Sequence, residues 1–143
     1  MNEDTINLLK ECNAGCKSAT SSMEQILAYV ENQKLRDLIK EYDNKHIKYG
    51  DECHELLNSA DSDEKDPNKF AMAMATLGTD LKLTINSSVN KAAGLLIDGC
   101  NMGIKSLTEY LHQYKAADDN AKQMTKKLIH IEEEFMKELL EFL

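Results

Sequence analysis

The chain has 143 residues, of which 42% are apolar and 29% charged, and its formal net charge is −8 at pH 7. This charge and the single arginine, Arg36, argue against a nucleic-acid partner, because nucleic acids are bound through clustered lysine and arginine. No apolar run is long enough to cross a bilayer, and the acidic start MNEDTINLLKE lacks the order of a signal peptide. We therefore expect a cytoplasmic protein without a membrane or nucleic-acid partner.

A first helical hairpin is predicted over residues 3–59. Apolar side chains recur every three or four residues across 3–31 and again across 33–59, which is the period of an amphipathic helix. The polar turn ENQ at 31–33 joins the two helices, and helices with so short a link pack antiparallel. Tyr42, His46 and Tyr49 are the polar or aromatic side chains on the inward face of the second helix.

The predicted second half begins after an acidic loop at 60–68, where Pro67 suits the first turn of a new helix. The helical period then continues from Phe70 to Leu111. Residues 69–88 are therefore either an extension of the third helix or a separate crossover helix that is broken near 86–88. A second hairpin is predicted over 89–143, and its final helix covers 119–142.

The pattern Cys-Asn-x-Gly-x-Lys-Ser occurs twice, as ECNAGCKS at 11–18 and as GCNMGIKS at 99–106. We interpret the repeat as a duplicated helical hairpin that closes into an all-α four-helix bundle, a single domain over 1–143. Asn13 and Asn101 are expected to border the helix seam at equivalent places and to fix its register, as buried asparagines do in coiled coils. Glycine inside a helix costs about 1 kcal/mol relative to alanine, so close backbone packing is expected at the glycines of the long helix. These are Gly78, Gly94, Gly99 and Gly103.

The first helix reads Leu-Leu-Lys-x-x-Asn-x-Gly-x-Lys over 8–17, and with it the chain resembles the ferritin-like superfamily, most closely bacterial members of unassigned function. The resemblance covers nearly the whole chain. It implies that helices one and three each supply an inward glutamate and helices two and four each supply Glu-x-x-His, which together hold two irons in the catalytic members. In helix two, Asp43-Asn-Lys-His46 has aspartate in place of glutamate. In helix four, Glu133-Glu-Phe-Met136 has methionine in place of histidine.

The carboxylates that a di-iron site needs are predicted to be missing from helices one and three. At about 100° per residue, Glu11 lies roughly 120° from the centre of the apolar stripe of its helix. Its counterpart in the repeat is Gly99, and Asp98 is expected to point outward. The sequence therefore favours a non-catalytic protein without a cofactor, in a structural or binding role.

Two metal-binding alternatives stay open. His46 and Glu132 are expected to form a structural hydrogen-bonded pair across the bundle, but with Asp43 they could form a residual metal site. Four inward cysteines are expected to be reduced and buried as small hydrophobic residues, but thiols lining a bundle could also hold a soft ion such as Cu(I). These cysteines are Cys12, Cys16, Cys53 and Cys100.

The apolar stretch FAMAMATL at 70–77 raises the question of what covers it. An unbroken helix from 69 to 114 would extend beyond its neighbours and leave this stretch in water, which proteins avoid. We expect either a break near Asn86–Ser88 that folds 69–85 back over the bundle, or a homodimer through residues 70–85.

Overall fold

The four stretches of helical periodicity fold as four helices in a computed structural model that describes residues 1–60, 85 and 88–143. They are α1 (Glu3–Leu27), α2 (Gln33–Ser59), α3 (Val89–Gln113) and α4 (Asp119–Leu139), and a 3-10 helix follows at Leu140–Phe142. No strand occurs among the described residues, so the all-α prediction is confirmed for them. Within the same residues, no helix has the length and apolar character needed to span a membrane.

Three of the helices begin at a side chain that caps their first turn. Asn2, Asn32 and Asp118 each accept a hydrogen bond from the backbone N–H three residues later, at 2.8, 2.9 and 2.8 Å. The cap at Asn32 agrees with the predicted start of the second helix. The predicted end of the first helix at 31 is wrong, because α1 ends at Leu27. The apolar spacing misleads there, since Val30 is buried although it lies in the link.

The contacts at the start of α1 establish the directions of the helices. Asn2 donates to the carbonyl of Ala116 at 2.7 Å, and the hydroxyl of Thr5 accepts from the N–H of Asp118 at 2.8 Å. The link between α3 and α4 therefore lies beside the start of α1, so α1 and α4 run parallel. Both α2 and α3 end at this same end of the bundle and run the opposite way. Helices α1 and α4 each pack against the other three.

The interior consists of two apolar clusters stacked along the bundle axis. The upper cluster lies around the link between α1 and α2, and the lower cluster lies around the link between α3 and α4. Buried members of the upper cluster include Met23, Ile39, Tyr42, Ile85, Leu96, Cys100, Phe135 and Leu139. Buried members of the lower cluster include Leu8, Cys12, Cys16, Tyr49, Cys53, Leu107, Met124 and Leu128.

The start of α3 decides between the alternatives for the third helix. Ser88 precedes it in an extended conformation, with φ −80° and ψ 119°, so the alternative of one unbroken helix from 69 to 114 is wrong. Ile85 is fully buried in the upper cluster. The rest of the predicted crossover, including the 70–77 stretch and most of the proposed dimer surface, lies outside the described residues.

The expected close packing at the glycines and the expected equivalence of Asn13 and Asn101 are both wrong. A methyl group added at Gly94 or Gly99 would meet no atom within 4 Å, so close backbone packing does not explain these glycines. Only at Gly103 is there a contact, 3.6 Å from the added carbon to Oε2 of Glu132; Gly78 lies outside the described residues.

Asn13 is buried and its amide nitrogen has no hydrogen-bond partner, whereas Asn101 is exposed. The two asparagines are therefore not equivalent, because α1 packs against three helices and buries a wider face.

Candidate functional site

A buried polar pair joins α2 to α4 at the junction of the two apolar clusters. Nε2 of His46 is hydrogen bonded to Oε1 of Glu132, and both residues are buried. One turn earlier, Tyr42 belongs to the upper cluster, and one turn later Tyr49 belongs to the lower cluster. The predicted pairing of His46 with Glu132 across the bundle is therefore confirmed.

The two hydrogen bonds of His46 account for two protons. Nδ1 donates to the carbonyl of Tyr42 at 2.7 Å, so the contact with Glu132 carries one further proton that belongs to the pair. Burial lowers the pKa of His46, but the hydrogen bond and the charge of Glu132 outweigh it, so the pKa lies above its usual value. The arrangement is that of an imidazolium beside a carboxylate, and the pair as a whole is neutral.

A cavity of about 190 Å³ lies between α1 and α3, with His46 and Glu132 from α2 and α4 in its wall. Most of its lining is apolar, from residues such as Met23, Leu96, Leu107 and Phe135. Asp98, Gly99 and Met102 also line it and are exposed, so the cavity opens to solvent along α3. A concave, mostly apolar space with a few converging polar groups is the usual form of a small-molecule site.

Both copies of the repeated octapeptide contribute equivalent positions to the cavity. The equivalent pairs are Glu11 and Gly99, Gly15 and Gly103, and Ser18 and Ser106. Within each copy the positions are four and then three residues apart, so they share one face of their helix. The glycines leave space between the helices, since a methyl group at Gly15 would also meet no atom within 4 Å. The repeat thus supplies the two facing walls of one cavity.

Glu11 is the main site residue that the sequence argument placed wrongly. It was expected to point outward, but it is only 9% exposed and lines the cavity. The buried face of α1 is wider than its apolar stripe, since Thr5, Asn13 and Ser18 are buried on it as well. Burial and the charge of the Glu11 carboxylate raise the pKa of Tyr110 on α3 to about 12.

Ser18 was also missed, and its side chain has an unused hydrogen-bonding capacity. The residue is 6% exposed and lines the cavity, and its hydroxyl has no hydrogen-bond partner. An unpartnered buried hydroxyl costs roughly 1–3 kcal/mol, so Ser18 is a destabilising feature of the cavity wall. Ser18 could have been found from the repeat, since it is the last residue of the first octapeptide.

All four cysteines are free and buried, as predicted. Cys12, Cys16 and Cys53 belong to the lower cluster and Cys100 belongs to the upper one. Thr125 donates its hydroxyl proton to the carbonyl of Ala121 at 2.9 Å, so Cys12 is the donor in its 3.2 Å contact with that hydroxyl. Burial raises the pKa of each of the four thiols, that of Cys53 to about 12. They are therefore neutral thiols at physiological pH.

The remaining metal candidate, Asp43, lies at the edge of the buried region beside α1. Burial and the charge of Glu24 raise its pKa, and its buried Oδ1 has no hydrogen-bond partner. Across residues 1–60, 85 and 88–143, no group of three or more His, Cys, Asp or Glu side chains is arranged to hold a metal ion. Comparison of the chain with family models, curated proteins and solved structures gives no match.

Proposed function

We propose that this chain is a non-catalytic binding protein of ferritin-like architecture, whose cavity between α1 and α3 holds a small, largely apolar molecule. One observation carries the proposal: the cavity of about 190 Å³ is walled by both copies of the repeated octapeptide, and its lining is mostly apolar. A designed apolar cavity of about 150 Å³ is enough to bind benzene. The space here therefore admits a ring with a short side chain.

The directions of the helices support the ferritin-like part of the proposal. Helices α2 and α3 run parallel and are joined by the long connection over 60–88, and ferritin-like bundles have one such long crossover. Glu11 on α1, His46 on α2 and Glu132 on α4 all line the same space. On α3, Gly99 and Gly103 occupy the facing wall, which opens a cavity where a catalytic member would carry a carboxylate.

The chemistry of the buried groups favours binding over catalysis. Nε2 of His46 is occupied by Glu132, so the imidazole has no free nitrogen to take a proton from a substrate. The raised pKa of Cys100 keeps this cavity-lining thiol neutral, and the thiolate is the form of cysteine that acts as a nucleophile.

Filling the cavity from one wall tests the proposal. Gly15 lines the cavity, so Gly15→Leu places a side chain inside it. Gly94→Leu is the matched control, because Gly94 has equally open surroundings but does not line the cavity. Both changes remove a glycine from a helix interior, which stabilises a helix by up to about 1 kcal/mol. Binding of the neutral probe 2-phenylethanol, measured by protein NMR titration, should disappear in Gly15→Leu and be unchanged in Gly94→Leu.

Equal binding by the two variants, or no binding by the parent protein, would contradict the proposal. Elemental analysis of natively purified protein provides a separate check on the metal-binding alternatives. Stoichiometric iron would support a residual site at His46, Asp43 and Glu132, and stoichiometric copper would support a site made by the cysteines.

A further inference from the structure

The ligand's chemical class follows from the charges around the cavity. We propose that the cavity binds a small lipophilic ammonium ion, with the apolar body between α1 and α3 and the ammonium group on the carboxylate of Glu132. The inference deepens the proposed function and rests on it. It rests on the sign of the charge on the lining and on the position of the second carboxylate oxygen of Glu132.

The lining is acidic. Its described part carries the carboxylates of Glu11, Asp98 and Glu132 and contains no lysine or arginine. The His46–Glu132 pair is neutral whichever of the two side chains holds the proton between them. The net charge of the lining is therefore that of Glu11 and Asp98, which is negative. Walls of low dielectric strengthen the attraction between such charges and a cation, and the net charge of −8 on the whole chain acts in the same direction.

Glu132 has an oxygen on the side of the cavity that faces α3. Oε1 is bonded to His46, while Oε2 lies 3.6 Å from the carbon that would be added at Gly103. Burial and the charge of this side chain raise the pKa of the Cys100 thiol, so Cys100 faces it as a neutral group. An ionised carboxylate offers about four acceptor sites, so acceptor capacity is left for a ligand N–H.

Ser18 is a polar residue of the same cavity wall, but its hydroxyl is shielded from the open space. Its hydroxyl is buried and unpartnered, so the choice between ligand charges rests on the carboxylates of the lining. A carboxylic acid ligand would instead meet Glu11, Asp98 and Glu132, and like charges in contact disfavour binding. The geometry therefore favours a cation over an anion of the same shape.

The experiment compares three probes of similar shape on the parent protein: 2-phenylethylamine, 2-phenylethanol and phenylacetate. The amine should bind about tenfold more tightly than the alcohol, which is the effect expected of a hydrogen bond to a charged group, and phenylacetate should bind most weakly. Affinities are measured by NMR titration or calorimetry in the same buffer. Equal or weaker binding of the amine relative to the alcohol would overturn the inference.

Charge removal at two neighbouring positions separates a local contact from the general field. Glu132→Gln should reduce the amine's affinity to that of the alcohol, whereas Glu133→Gln removes the same charge from an exposed position and should leave both affinities unchanged. An equal loss in both variants would overturn the contact with Glu132. If Glu132→Gln does not fold, the three-probe comparison on the parent protein decides alone.

The two proposals can fail separately. If 2-phenylethanol and the amine bind equally and Gly15→Leu abolishes both, the cavity is a binding site without charge selection, and only the present inference is overturned. If none of the three probes binds, both proposals are overturned.

Discussion

At the scale of single residues, the buried His46–Glu132 pair makes the strongest energetic prediction. Replacing one member by leucine leaves the other without its partner, which costs about 3–5 kcal/mol for a buried ion pair. Replacing both with leucine should cost far less than the two single changes added together, because no uncompensated polar group is then left. Urea denaturation of the two single variants, the double variant and the parent measures the coupling.

Helix α4, which carries Glu132, also offers a matched control for the comparison of single and double variants. Nε2 of His130 and Oε1 of Glu134, both on α4, lie 3.0 Å apart, but both side chains are exposed. Exposed pairs contribute about 0–1 kcal/mol, so the equivalent leucine variants should change the free energy of unfolding little. Strict additivity at His46 and Glu132 would show that the two side chains act independently, in contradiction to the structure.

The pair also predicts a pH dependence of stability. The pKa of His46 is higher in the folded protein than its usual value, so folding favours the protonated state. The resulting stabilisation is complete below about pH 6.5 and is lost as the pH rises through the folded pKa. The free energy of unfolding of the parent minus that of His46→Gln should therefore fall with rising pH.

Taking this difference removes the contribution of the four thiols. Their raised pKa values also cost stability at high pH, above about pH 8.5, where thiols of the unfolded chain ionise. Both proteins carry all four cysteines, so this loss cancels. A difference that is constant or rises between pH 6 and pH 9 would contradict the raised pKa of His46.

At the scale of helices, the only arginine has a structural role that composition alone did not suggest. From the first turn of α2, Nη1 of Arg36 donates to the carbonyls of Leu27 and Val30 at 2.7 and 2.8 Å. These carbonyls lie at the end of α1 and in the link, where helical partners run out. Arg36 therefore fixes the turn of the first hairpin.

Removing the guanidinium should loosen this hairpin. Arg36→Met keeps an apolar stem and loses both hydrogen bonds, and bonds to charged groups contribute about 1.5–3 kcal/mol, so a destabilisation near the lower end of that range is expected. Lys40→Met, at an exposed position one turn later, controls for the loss of a positive charge. Thermal unfolding of the two variants compares them, and equal melting temperatures would contradict the role of Arg36.

The starts of the helices and the residues on their buried faces could be predicted from the sequence only in part. The starts of α2 and α4 follow from local signals, since the capping side chains Asn32 and Asp118 act within a single turn. His46 and Glu132 were placed inward correctly, because α2 and α4 each have a narrow apolar stripe. Glu11 was not, because α1 buries polar side chains beside its apolar stripe, and apolar periodicity does not reveal them. The cavity depends on the gap between α1 and α3, which no local pattern encodes.

At the scale of the whole molecule, the two apolar clusters raise the question of whether the bundle unfolds as one unit. Helices α1 and α4 each contact all the other helices and contribute to both clusters, and the His46–Glu132 pair joins the clusters at their junction. We therefore expect the described helices to open cooperatively, without separate unfolding of the upper or lower half.

The buried cysteines can report this directly, because Cys53 belongs to the lower cluster and Cys100 to the upper one. Burial raises the pKa of both thiols, so in the native protein neither should react with a bulky disulfide reagent until the bundle opens. If opening is global, the two sites are labelled at the same rate, and a destabilising change such as His46→Leu accelerates both by the same factor, about tenfold per 1.4 kcal/mol. Mass spectrometry of the labelled protein resolves the two sites. Faster labelling of Cys100 alone would show instead that α3 separates from the other helices on the side where the cavity opens.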